Sequence, residues 1–314
     1  MGCYERDWLF HNSLLHIELY IFKGYNKKIK QKERILTMVK IITDSSSTFT
    51  KEEGKDMDID VLSLRVNIGD MEGEDLYIDM DEFYGRIVKG EIPRSSQPPI
   101  GEVVDAYEKY PDDDIINIAM ADGLSGTYES ACSAREMVEN KDKIIVFNTR
   151  TLCGPQRYMV EKAVKMRNLG KTAGEILEWL KKAADSAESF LIPQDFGFLK
   201  RGGRLTSMSA AFGTVLSLKP VMTQTPDGRR LDKFAIKRNM KKAVKAVVER
   251  MQEKGVNEKF VVYVSHANAL EDAKRAIEQI KETFANIEIH LLELGAAFVT
   301  QGGPQCIAIQ YIEA

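Results

Sequence analysis

The chain has 314 residues, of which 44% are hydrophobic and 29% charged, and its formal net charge is −3. A chain of this length can bury a sizeable core and is long enough for two domains. The small negative charge gives no electrostatic attraction to nucleic acid or to an anionic membrane surface. The four cysteines are scattered, with no Cys-x-x-Cys spacing. We therefore expect free thiols, no metal site and a cytoplasmic location.

The first 37 residues differ in character from the rest of the chain. They mix charged and aromatic side chains, and their apolar stretches are too short and too polar for a signal peptide or a membrane span. A regular strand pattern begins only after Met38. We predict that Met38 is the true start and that residues 1–37 are a non-native or disordered extension; a poorly ordered N-terminal helix is the alternative.

Short apolar runs alternate with amphipathic helices from Met38 to residue 188. The strands are predicted at Val39–Thr43, Val61–Val66, Ile115–Met120 and Lys143–Phe147. The helices are predicted at Asp81–Lys89, Gly101–Tyr110, Thr127–Val138, Cys153–Asn168 and Thr172–Ala184. This alternation is typical of a doubly wound parallel sheet, whose ligands collect at the carboxyl ends of the strands.

The pattern changes after residue 188. Strands are predicted at Ser189–Ile192, Lys219–Thr225, Arg229–Ala235, Phe260–Ser265, Glu288–Leu294 and Gln305–Tyr311, and helices at Ser207–Leu216, Asn239–Lys254 and Ala269–Phe284. A Thr-Pro-Asp-Gly turn should join two of the strands as a hairpin. The predicted fold is therefore α/β with two α/β domains: an N-terminal doubly wound parallel sheet over 38–188 and a C-terminal mixed sheet over 189–314, with a ligand between them.

Two turns are rich in hydroxyl groups. They are Arg94-Ser95-Ser96-Gln97-Pro98-Pro99 and Gly123-Leu124-Ser125-Gly126-Thr127-Tyr128. The second turn lies between a predicted strand and a predicted helix, where free N–H groups and the helix dipole favour an anion. We interpret these turns as a binding site for an anionic group. As an alternative, Ser95 and Ser96 would only cap a turn.

Other polar motifs allow more than one interpretation. Ser125 could be a nucleophile, but its turn is not a Gly-x-Ser-x-Gly elbow, and His266 and His290 are the only candidate bases after residue 37. The turn 44–47 fits either an N-cap or a place beside the pocket. The basic run 200–204 is too isolated for nucleic acid, and we expect a tight loop with one arginine near a ligand head group or an acidic partner.

The chain from Met38 to the C-terminus resembles the DegV family in several ordered motifs. They are Thr43-Asp44-Ser45-Ser46, Ser95-Ser96-Gln97-Pro98, Gly123-Leu124-Ser125-Gly126-Thr127-Tyr128-Glu129-Ser130-Ala131, Leu199-Lys200-Arg201-Gly202-Gly203-Arg204-Leu205, Leu218-Lys219-Pro220, His266-Ala267 and Gly302-Gly303-Pro304. The resemblance implies a non-enzymatic, lipid-binding protein that holds a long-chain fatty acid in an interdomain tunnel. It further implies presentation of the carboxylate to the catalytic subunit of a fatty acid kinase, for acyl-phosphate formation in phospholipid metabolism. We expect no cofactor, and the charge balance and the short apolar segments predict no nucleic acid partner and no stable membrane insertion.

The same resemblance assigns site residues. Ser95 and Ser125 would hold the carboxylate, with Ser96 as a close neighbour that could replace Ser95. Arg204 is a candidate contact for the head group or for the partner. Gln301 stands where family members often have a histidine; its amide can donate a hydrogen bond but cannot become charged. The competing hypothesis is an enzyme that acts on a small anionic or ester ligand, either a hydrolase that uses Ser125 or a protein that binds a phosphorylated molecule.

Overall fold

The computed structural model describes residues 38–210 and 218–314. The predicted extension 1–37 therefore lies outside the described residues, as does the later part of the predicted helix Ser207–Leu216. Thirteen strands lie in the described part: β1 Val39–Asp44, β2 Ile59–Leu62, β3 Arg65–Ile68, β4 Met71–Glu74, β5 Arg94–Ser96, β6 Asp114–Ala119, β7 Ile144–Asn148, β8 Glu188–Ile192, β9 Lys219–Gln224, β10 Leu231–Lys237, β11 Phe260–His266, β12 Glu288–Glu293 and β13 Ile307–Glu313.

The sequence predicted the positions of most α-helices of the same part and missed three short ones. In chain order they are α1 Lys51–Asp56, α2 Met80–Val88, α3 Ile100–Glu108, α4 Thr127–Arg135, α5 Gly154–Asn168, α6 Ala173–Ser186, α7 Phe196–Gly202, α8 Ser207–Ala210, α9 Met240–Glu253, α10 Leu270–Thr283 and α11 Ala296–Gly302. The sequence pattern did not predict α1, α7 or α11, because one or two turns are too short to show a helical period.

A parallel sheet with helices on both faces forms the first part of the fold. Its strand order is β2-β1-β6-β7, and all three pairings are parallel. Ile41 and Ile116 pack on one face with residues of α5 and α6, while Ile42 and Ile115 pack on the other face with residues of α3 and α4. The doubly wound parallel sheet is therefore confirmed.

A mixed sheet forms the second part, in the order β10-β9-β8-β13-β11-β12. Only the β11–β12 pair is parallel; the other pairings are antiparallel. The predicted hairpin joins β9 to β10, and the Gly228 N–H donates to the Thr225 carbonyl at 2.7 Å. The mixed sheet is thus confirmed, whereas the division into two domains at residue 188 stays a prediction.

A third, three-stranded sheet was not predicted, and two expectations that fall on it were wrong. The predicted strand Val61–Val66 is split into β2 and β3, because the backbone of Leu64 leaves the parallel ladder: its N–H donates to Ser45 Oγ at 3.0 Å and its carbonyl accepts from Asp75 N at 2.9 Å. The Arg94–Ser96 segment is an edge strand, β5, and not only a turn. β5 and β4 pair with β3 on either side.

Candidate functional site

One large cavity, of about 720 Å³, is lined by strand residues of the mixed sheet and of the small sheet and by segments that follow the strands of the parallel sheet, such as Met120 after β6. This volume lies in the usual range of pockets that bury a small molecule. Much of the wall is apolar, contributed by side chains that include Leu64, Met120, Leu152, Phe190, Leu191, Met222 and Phe298. A ligand with a substantial apolar part therefore fits this cavity.

All five residues that the sequence selected line this cavity. Ser95 and Ser96 lie in β5, Ser125 lies in the turn between β6 and α4, Arg204 follows α7, and Gln301 lies in α11. The fold thus brings together side chains from four distant segments of the chain. Their role at a carboxylate stays a prediction.

The turn that carries Ser125 lies at the carboxyl end of β6. Ser125 Oγ accepts a hydrogen bond from Thr127 N at 3.3 Å and lies 2.8 Å from Thr127 Oγ1. Since α4 begins at Thr127, Ser125 lies at the positive end of a nine-residue helix. One hydroxyl proton and the helix dipole can therefore act on an anion at this wall of the cavity.

The β9–β10 hairpin holds the same turn from the other side. Gly123 approaches the hairpin so closely that a Cβ at this position would lie 2.1 Å from Arg229 Cα. Arg229 Nη2 also forms an ion pair of 2.6 Å with Asp122 Oδ2. A third contact comes from Arg204, whose Nε donates to Leu124 O at 3.1 Å. The position of Ser125 therefore depends on the hairpin and on Arg204.

Arg204 is a half-buried cation without a counter-charge in the described ranges. Its Nη1 donates to the Gly202 carbonyl and its Nε to Leu124 O, and no carboxylate of the described residues lies within ion-pair distance. Burial, and then the nearby Arg230, lower the pKa of Arg204. Because a partly desolvated cation is stabilised by an opposite charge, this position favours an anionic ligand.

Ser95 faces α11, a helix that the sequence pattern missed. Ser95 Oγ lies 3.1 Å from Thr300 Oγ1, and Gln301 Nε2 donates to the same Thr300 oxygen at 3.1 Å. Gln301 Oε1 is buried without a hydrogen-bond partner among the described residues. Thr300 was not selected from the sequence, although it directly precedes Gln301 and lies two residues before the Gly302-Gly303-Pro304 motif.

The carboxyl groups of Asp44 and Asp75 are buried and form hydrogen bonds to segments that line the cavity. Asp44 accepts hydrogen bonds from Ser46 N and Met120 N, both at 3.0 Å, and Ser46 itself lines the cavity. The structure confirms the cap, whereas a role of the 44–47 turn beside the pocket stays a prediction. Burial raises the pKa of Asp44, and burial also raises the pKa of Asp75 to about 6.

The histidines of the described residues do not contact Ser125. His266 Nδ1 accepts a weak hydrogen bond from Ala269 N at 3.4 Å, which agrees with a structural role, and burial lowers the pKa of its imidazole. His290 Nε2 pairs with Glu288 at 2.7 Å, and neither histidine lines the cavity. A Ser-His pair at Ser125 is therefore not formed by these two residues.

The basic run 200–204 was expected to form a tight loop. The basic run ends α7, and Gly203, with φ of +70°, supplies the left-handed residue that terminates that helix. The structure therefore corrects the expected loop at Lys200 and Arg201, which lie in α7.

Cys132, Cys153 and Cys306 are free thiols. Across 38–210 and 218–314, no cluster of His, Cys, Asp and Glu is arranged to hold a metal ion. No helix in these ranges is long and apolar enough to cross a bilayer.

The fold defines a class of α/β proteins that combine a parallel sheet with a separate mixed sheet. The family description that matches residues 38–314 is "Uncharacterised protein, DegV family", and the chain belongs to this family. A DegV domain-containing protein of Clostridium perfringens is 30% identical over 285 residues, which cover 87% of this chain and 96% of the relative.

Solved structures of similar fold also belong to DegV family proteins. DegV of Bacillus subtilis, described as a fatty acid binding protein, is 29% identical and has a TM-score of 0.76, covering 88% of this chain and 100% of that one. A DegV family protein of Thermus thermophilus, described by its fatty acid binding, has a TM-score of 0.80 at 23% identity, with the same coverage. The second likeness supports the fold alone.

Proposed function

We propose that this chain binds a long-chain fatty acid in the cavity, with the carboxylate held by Ser95 and Ser125. The observation that carries the proposal is that the two serines line the same cavity as Arg204, a half-buried cation without a carboxylate partner in the described ranges. An anionic head group would supply the missing charge, and the apolar wall would accept an acyl chain. The fatty acid binding described for DegV of Bacillus subtilis supports this proposal.

The acyl chain and the carboxylate of such a ligand contribute differently to the free energy of binding. Each buried methylene contributes about 0.8 kcal/mol, so a tail of about a dozen methylenes contributes roughly 10 kcal/mol before the cost of association. A hydrogen bond to a charged group contributes only about 1.5 to 3 kcal/mol. The tail therefore supplies most of the affinity, and the hydroxyl groups fix where the carboxylate lies.

Removal of either serine hydroxyl tests the site. We expect Ser125→Ala and Ser95→Ala each to weaken fatty acid binding by roughly ten- to a hundredfold, because each loses one charge-assisted hydrogen bond. Equilibrium binding of stearate to the purified variants measures the effect. Ser133→Ala, on the exposed face of α4, is the matched control and should bind like the parent. Full affinity in both site variants would place the carboxylate elsewhere, and Ser96→Ala would then show whether Ser96 takes the role.

The proposal extends to a carrier role in the cytoplasm. A carrier presents the carboxylate to the catalytic subunit of a fatty acid kinase, which makes the acyl phosphate for phospholipid metabolism. Two features favour a carrier over an enzyme: Ser125 has neither His266 nor His290 as a base, and the sequence has no phosphate-binding Gly-x-x-x-x-Gly-Lys loop. The two-domain division at residue 188, with the ligand between the domains, belongs to the same proposal.

Arg204 should contribute to the head-group end of the site. We expect Arg204→Ala to lower stearate affinity by about tenfold, because the variant loses both the charge and the hydrogen bond to Leu124 O that positions the Ser125 turn. Alternatively, the loss appears in acyl-phosphate formation with a fatty acid kinase. Arg275→Ala, at an exposed helical site, controls for the change in net charge. Unchanged binding together with unchanged phosphorylation would remove Arg204 from the site.

A further inference from the structure

Helix α11 forms one wall of the cavity and is anchored by a residue from a distant part of the chain. Asp75, which is 1% exposed, accepts a hydrogen bond from Ala297 N at 2.7 Å through Oδ1 and one from Ser45 Oγ at 3.0 Å through Oδ2. Gly295 lies against the same carboxyl group, where a Cβ would come within 2.6 Å of Asp75 Oδ1. The start of α11 is therefore fixed against the 44–47 turn.

Hydrogen bonds lead from this anchor to Ser95. Thr300, one helical turn after Ala297, is 5% exposed, and its Oγ1 donates to Ala297 O at 2.7 Å. The same oxygen lies 3.1 Å from Ser95 Oγ. Thr300 is thus the one side chain of α11 in hydrogen-bond contact with a serine proposed to hold the carboxylate, among the residues that the structure describes.

Proton counting gives Thr300 two arrangements. A hydroxyl carries one proton and two lone pairs, and Thr300 Oγ1 already accepts from Gln301 Nε2 at 3.1 Å. When the Thr300 proton points to Ala297 O, Ser95 Oγ accepts no hydrogen bond from Thr300. When it points to Ser95 Oγ, Thr300 donates to Ser95 at 3.1 Å, so the Ser95 proton must point away from Thr300 and can point at an anion. The second arrangement also strengthens Ser95 as a donor, because linked hydrogen bonds polarise one another.

We propose that Thr300 is a positioning residue of the head-group site, which fixes the Ser95 hydroxyl and directs its proton toward the bound carboxylate. This inference rests on the proposed function. Thr300 acts through Ser95, and Asp75 acts one step further back by holding α11 at Ala297. Gln301 then has a defined part: its amide donates to a lone pair of Thr300 Oγ1, and the Thr300 proton is left to point at Ser95 Oγ.

A double-mutant cycle between Thr300 and Ser95 tests the proposal. We expect Thr300→Val, which keeps the shape and removes the hydroxyl, to weaken stearate binding by about five- to tenfold in the parent but by less than about twofold when Ser95 is alanine. Thr300→Ser, which keeps the hydroxyl, should stay within about twofold of the parent. Thr149→Val is the matched control, since Thr149 is also buried, at 0% exposed against 5% for Thr300, and lies outside the cavity lining.

Methyl stearate separates a head-group effect from a structural one. Its ester lacks the negative charge, so Thr300→Val should change its affinity much less than that of stearate. Equal weakening of the acid and the ester, equal weakening with and without Ser95, or loss of affinity in Thr300→Ser would each overturn the proposal. If Ser95→Ala weakens stearate binding and Thr300→Val does not, only this inference fails. If the parent binds no stearate, the proposed function fails and this inference fails with it.

Discussion

Replacing Gly123 by alanine is expected to abolish ligand binding and to lower the free energy of unfolding by about 2 to 3 kcal/mol. The new Cβ would lie 2.1 Å from Arg229 Cα and 2.3 Å from Arg229 O, which are backbone atoms and cannot rotate away. Either the hairpin or the turn must therefore move. Because Ser125 lies two residues further along the same turn, its hydroxyl moves with it.

Gly174→Ala is the matched control for this substitution. Gly174 lies in α6, and a Cβ at this position meets no atom within 4 Å. The same change should there stabilise the protein by about 0.5 to 1 kcal/mol, because alanine favours a helix over glycine. Urea unfolding and stearate binding of both variants measure the contrast. A Gly123→Ala protein with parental stability and affinity would show that the close contact between turn and hairpin is not required.

Asp75→Asn is expected to change how stability depends on pH. The pKa of Asp75 is raised from 3.8 to about 6, chiefly by burial. The folded state therefore holds a proton that the unfolded state releases, so this group's contribution to stability is full below pH 3.8 and is lost as the pH rises through about 6. The shift corresponds to about 3 kcal/mol. Asparagine keeps an oxygen for Ala297 N and has no charge to bury.

The difference in free energy of unfolding between Asp75→Asn and the parent isolates the contribution of the Asp75 proton. We expect the free energy of unfolding of Asp75→Asn, minus that of the parent, to rise by about 3 kcal/mol between pH 4 and pH 6.5 and then to stay constant. Urea unfolding at half-unit pH steps provides the measurement. In the control Asp227→Asn, the difference should stay flat over this range, because the Thr225 hydroxyl lowers the pKa of Asp227 below its ordinary value of 3.8 and any change falls at lower pH. A flat difference for Asp75→Asn would contradict the burial argument.

The sequence predicted the sheets and long helices because their apolar periods are regular over many residues. It failed where non-local hydrogen bonds decide the local structure. The apolar run Val61–Val66 looks like one strand, yet Ser45 and Asp75 pair with the Leu64 backbone and divide it. No local pattern contains that information, since both partners lie more than ten residues away in the chain.

The sequence predicted those site residues that lie in or next to a recognisable sequence motif. Ser95, Ser125, Arg204 and Gln301 all carry polar groups in recognisable motifs, and all line the cavity. Thr300 and Asp75 were missed because their importance lies in what they contact. Thr300 lies within a helix too short for a periodic signal, and Asp75 contacts Ala297 from a turn more than two hundred residues earlier.

The central claim, that Ser95 and Ser125 hold a fatty acid in this cavity, is tested most directly by the ligand that the protein carries. The parent and the Ser95→Ala/Ser125→Ala double variant would be purified side by side, their folding compared by circular dichroism, and their organic extracts quantified by mass spectrometry. We predict near-equimolar long-chain fatty acid from the parent and little from a folded double variant. An extract of the parent without fatty acid, or equal occupancy in both proteins, would contradict the account.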